Sequence, residues 1–214
     1  MAHSTPFRFP DPRLTLAATC MITLVVLMAG LVLSHTPKEV FAESGPIERL
    51  SAAYLILSAL LLAVLPGSSR WHQVVLVAAA GLRELDWDKA FTDSGVLSLR
   101  LYSGEAPLVQ KVVGLLVLAV LITAGIRLLR RDLVPWLRGL RAGQMLAWTI
   151  ALILALHAVA KSLDGLGRKL APWGIELADW TNKVAGRSEE ALELIAAILI
   201  LQAVILIGNN RHRA

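Results

Sequence analysis

A chain of 214 residues would fill one or two ordinary domains at about 150 residues each, but 56% hydrophobic residues, 17% charged residues and a mean hydropathy of +0.64 describe a membrane protein and exclude a water-soluble enzyme fold. The net charge of +5 comes from 21 basic against 16 acidic side chains. The basic ones fall between apolar runs, so membrane orientation rather than nucleic-acid binding accounts for them.

Crossing a bilayer core of about 30 Å takes about 20 largely apolar residues. The first such run, 14–34, follows Arg8 and Arg13 and contains Cys20, the single cysteine, so neither a disulfide framework nor a cysteine metal site is expected. It is longer than the 7–15 residues of a usual secretory signal core, and the cleavage-like Val40-Phe41-Ala42 lies beyond Lys38 and Glu39, so it reads as an anchor. The second run, 47–65, is announced by Pro46 in the first-turn position that proline tolerates. In the third, only 74–82 is apolar, too short to span unless the helix runs from 71 to 91 and carries Arg83, Glu84, Asp86 and Asp88 with it. The fourth and sixth, 108–129 and 188–208, are clean, and the fifth, 143–163, is apolar until His157 and Lys161. Between the last two, 170–180 with Trp173 and Trp180 predicts a short interfacial helix. The expected fold is an all-α, polytopic helical membrane bundle of about six spans, with 1–214 as a single transmembrane domain.

Arg127, Arg130, Arg131, Arg138 and Arg141 crowd the fourth connection against one acid, Asp132, which predicts a cytoplasmic loop. Six spans counted from it put both termini and Arg70 on the same side, as in a bacterial inner-membrane protein. The opposite face then receives nearly all the carboxylates.

Ionisable groups at membrane depth are costly and generally face a bundle interior or a wet cavity. Glu84, Asp86, Asp164, Glu190 and Glu193 are the candidate acid–base residues. Arg83, Lys161, Arg168, Lys169 and Glu48 are the candidate substrate-binding ones, the cations as holders of a phosphate. His157, Lys161 and Asp164 fall at i, i+4 and i+7, one helical face. Glu84, His157 and Glu193 form a candidate set for a hard divalent cation such as Mg²⁺ or Ca²⁺. Plainer readings stand beside these. Glu189 and Glu190 follow Ser188 as first-turn acids behind an N-cap, His157 fits a packing histidine, Arg83 and Lys161 fit helix glue, and the tryptophans fit an aromatic belt. No HExxH, GxSxG, P-loop or dinucleotide fingerprint occurs.

Three functions fit this pattern. The first is an enzyme acting on a lipid or isoprenoid-phosphate headgroup at the outer leaflet, a hydrolase or transferase; the second is a structural subunit of a membrane complex; the third is a cation- or proton-coupled carrier. Membrane lipids are the expected partners, with a homo-oligomer or larger complex as a further option and nucleic acid excluded.

Overall fold

The computed structural model describes residues 10–33, 45–65, 69–92 and 95–212. His35, Glu43 and the 40–42 cleavage-like motif lie outside them, as does the side chain of Asp88. The chain folds as an all-α bundle: α1 (Pro12–Leu33), α2 (Pro46–Val64), α3 (Trp71–Glu84), α4 (Trp87–Thr92), α5 (Leu99–Ser103), α6 (Leu108–Arg141), α7 (Met145–Leu163), α8 (Leu166–Leu170) and α9 (Asp179–His212). Five of these, α1, α2, α6, α7 and α9, are long and apolar enough to cross a membrane.

Neighbours form a closed cycle, α9 on α2, α2 on α3, α3 on α6, α6 on α7 and α7 back on α9. An apolar seam joins α2 to α9, where Ile47, Leu50, Tyr54 and Leu55 bury with Leu194, Ala197, Leu201 and Ile205. α3 lies close on α2 because Gly81 has no side chain; a Cβ there would stand 3.2 Å from Leu55 Cβ and 3.0 Å from Ile56 Cγ1. α1 flanks the cycle through hydroxyls as much as methyls: Thr23 Oγ1 pairs with Tyr54 Oη at 2.9 Å, and Thr15 Oγ1 donates to Gln202 Oε1 at 3.3 Å. Small polar groups of this kind are the usual adhesive between helices in lipid, where apolar contact alone gives little preference.

Four sequence expectations need correction. The third span does not continue to 91: α3 stops at Glu84, the chain turns through Leu85 and Asp86, and α4 restarts at Trp87. Asp86 takes a left-handed backbone, φ 52°, which aspartate tolerates better than most residues. With 14 residues, α3 is about 21 Å long and does not cover a 30 Å core by itself. The arginine-rich connection is not a loop, since α6 stays helical through Pro135 to Arg141. The 170–180 segment is not one helix, because Pro172 lacks an N–H and Gly174, at φ 71°, turns the chain out of a single 3₁₀ turn at Ala171–Trp173. Ser188 is not an N-cap: α9 begins at Asp179, so Glu189 and Glu190 sit inside a continuous helix with its N-terminal dipole well behind them.

Candidate functional site

At the end of the cycle where α2 begins and α7 ends, the chain forms a half-open polar pocket of about 290 Å³. Glu48 enters it from the first turn of α2, Arg83 and Glu84 from the end of α3, Asp86 from the turn and Lys89 from α4; Lys161 and Asp164 enter from the end of α7, and Glu189, Glu190 and Glu193 from α9. Backbone punctuation places them there. After the break at Leu85–Asp86, Asp86 in the turn and Lys89 on α4 line the pocket, while Trp87 and Phe91 of α4 border the apolar groove described below.

The structure therefore brings together Glu84, Asp86, Asp164, Glu190, Glu193, Arg83, Lys161 and Glu48, all picked out in the sequence, and adds Lys89 and Glu189. It leaves three candidates outside. His157 is exposed and does not line the pocket, although it shares a helical face with Lys161 and Asp164, which do. Arg168 curls over Gly165, whose Cβ would meet its Nη2 at 2.8 Å. Lys169 Nζ donates to the Lys161 carbonyl at 2.6 Å. Without His157, the proposed metal set is reduced to Glu84 and Glu193, and no group of three His, Cys, Asp or Glu side chains among the described residues is arranged to hold a metal ion.

Seven carboxylates face three cations in this pocket. Two cations are held by acids of their own turn: Lys89 Nζ lies 2.5 Å from Asp86 Oδ1, and Lys161 Nζ lies 2.5 Å from Asp164 Oδ2. The Lys161 hydrogen bond holds the Asp164 carboxyl below the usual aspartate range. Among the described residues, no cation stands within ion-pair distance of Glu84, Glu190 or Glu193. Where ionised, Glu84, Glu190 and Glu193 repel one another, and that repulsion opposes folding.

Arg83 belongs to two cavities. It also borders an apolar groove of about 480 Å³ between α3 and α6, walled by Ala79, Ala80, Leu82, Val113, Val117 and Leu121 and roofed by Trp87, Phe91, Val96 and Leu97. The roof is held in place by the Tyr102 hydroxyl, which donates to the Val96 carbonyl at 2.6 Å.

A second polar cluster at the other end of α3 escaped the sequence reading. His72, 0% exposed, pairs through Nε2 with Asp132 Oδ2 at 2.8 Å, and Gln73 Nε2 donates to the same oxygen at 3.0 Å. The available signal was Asp132 itself, the one acid among the arginines of 127–141. A helix continuing past the membrane brings it level with the start of α3.

Comparison of the chain with protein-family models, with characterised proteins and with solved structures finds no match in any of the three.

Proposed function

We propose that this membrane protein is an enzyme that performs acid–base chemistry on the head of an amphipathic lipid, at the outer leaflet of a bacterial inner membrane with both termini in the cytoplasm. The observation that carries the reading is the shared Arg83: a polar pocket lined with carboxylates and a roofed apolar groove meet at one side chain, as a site for a head and its tail must. Glu190 and Glu193, one turn apart on α9, and Glu84 opposite them supply several carboxylates within one small cavity. In such a set one group can give a proton while its neighbour takes one.

The charge balance also narrows the head. A bare phosphate held by lysines is disfavoured, because Lys161 and Lys89 are committed to Asp164 and Asp86 and the remaining lining is strongly acidic. A head bearing an amine or hydroxyls fits better, with Arg83 at the boundary to accept whatever negative charge links head to tail. The structural-subunit reading needs ion pairs that hold helices together; Lys89–Asp86 and Lys161–Asp164 in the pocket are each local to one turn, and His72–Asp132, which does join two helices, lies at the other end of α3.

The test is Glu193→Gln, with Glu190→Gln beside it. Each should keep the wild-type melting temperature or raise it slightly, since one of several repelling charges is removed, and each should change the lipid composition of membranes carrying the protein relative to wild type. A structural ion pair would instead lose about 3–5 kcal/mol on removal of one partner. Wild-type melting together with an unaltered lipid profile would defeat the enzymatic reading.

A further inference from the structure

The end of the molecule opposite the acidic pocket carries a groove of about 500 Å³ formed by Trp71 at the start of α3 and by Thr123, Ile126, Arg127, Arg130 and Arg131 on α6. The α6 residues recur at i, i+3, i+4, i+7 and i+8, one continuous face, apolar toward the middle of the helix and guanidinium-lined toward its end. Arg127 lies over the Trp71 ring, 5.8 Å from its centroid, so part of the cationic wall is fixed rather than waving in solvent. Its Nε is buried without a hydrogen-bond partner among the described residues. Arg131 Nη1 reaches the Ser69 carbonyl at 3.3 Å, which anchors the other side of the wall.

What makes this face unusual is where its counter-charge has gone. Asp132 is the one acid in the segment 127–141, and it is turned away to α3, where a single oxygen serves both His72 and Gln73 at 2.8 and 3.0 Å. Three guanidiniums thus line a groove whose natural neutraliser is occupied elsewhere. With Arg127 half-buried, Arg130 and Arg131 exposed and no acid paired to any of them among the described residues, the groove fits an anion from outside the chain.

We propose that this groove is a binding site for one anionic phospholipid, its phosphate held by Arg127, Arg130 and Arg131 against the Trp71 edge and its first acyl segment lying along Thr123 and Ile126. A soluble anion would satisfy the arginines but leave the apolar half of the groove unmatched, and a neutral lipid would do the reverse; an anionic lipid at this depth matches both. The site does not depend on the acidic pocket and would persist if the proposed enzymatic role were wrong.

The experiment places purified full-length protein in nanodiscs of mixed phosphatidylglycerol and phosphatidylcholine and counts retained lipids by native mass spectrometry. Wild type should retain phosphatidylglycerol preferentially. Arg130→Gln with Arg131→Gln should weaken that retention roughly 30-fold, equivalent to about 1 kcal/mol for each charge removed near the surface. The matched pair Arg138→Gln with Arg141→Gln, equal in charge but outside the groove, should retain it as wild type does, and both variants should melt within a few degrees of wild type. Equal loss in the two variants would mean general surface attraction and overturn the site. So would a wild-type protein with no preference for the anionic lipid. If the groove variant melts far below the others, Trp71→Leu, which removes the aromatic edge and keeps every charge, decides: unchanged retention there overturns the proposal.

Discussion

Asp164 stands one residue past the end of α7, and its carboxylate meets the ammonium of Lys161 on the preceding turn at 2.5 Å. A carboxyl held below its ordinary value of 3.8 favours folding only while it is ionised in the native protein. Its contribution is complete above that ordinary value and disappears as the pH falls through the lower native one. Wild type should therefore melt slightly above Asp164→Asn from about pH 7 down to about pH 5, and the gap should close below roughly pH 4. A thermal-denaturation series in detergent reads this directly, and a gap that widened on acidification would mean that the Lys161 pair is not its origin. At this scale the sequence was a good guide to which acids share the cavity, since Glu84, Asp164 and Glu193 fall at comparable depths on their own helices. It was a poor guide to which cations do. Whether Lys161 holds a ligand or Asp164 depends on a local hydrogen bond that spacing permits but does not compel.

Helix packing depends on small residues, and two glycines make opposite cases. Gly81 lies where α3 meets α2, and an added methyl would press on Leu55, Ile56 and the Ile56 backbone nitrogen at 3.0–3.3 Å. Gly81→Ala should cost about 1–3 kcal/mol by forcing the helices apart. Gly125 on α6 has nothing within 4 Å of the same position, so Gly125→Ala should be neutral or stabilise by up to about 1 kcal/mol through helix propensity. Unfolding of the two variants in denaturant, compared with wild type, checks both signs at once. Both glycines read alike in the sequence. Element starts were legible wherever proline marked them, as at Pro46, while the end of α3 was not, because its stop lies in the left-handed turn at Asp86 and not in any change of hydropathy.

For the molecule as a whole, five long apolar helices and the short α3 with its α4 continuation order the chain into an even number of passes when α3 is counted as one. Both termini should then lie on the same side, the side of Arg127 and Arg130. A phosphatase or fluorescent reporter fused after Ala214 should be active only in its cytoplasmic form. Activity on the outer side would mean that α3 re-enters without crossing.

The amino-acid pattern by itself determined the membrane environment, the all-α class, the approximate positions of the spans and the segregation of carboxylates to one end, because each follows from hydropathy and charge summed along a helix. Tertiary structure alone decided that four helices bring those carboxylates into one cavity and that His157 is left outside its lining. It alone also joined an apolar groove to that cavity at Arg83 and drew Asp132 off its neighbouring arginines to His72. Periodicity tells which residues of a helix share a face, but which face meets a neighbour is settled only by where the helices pack.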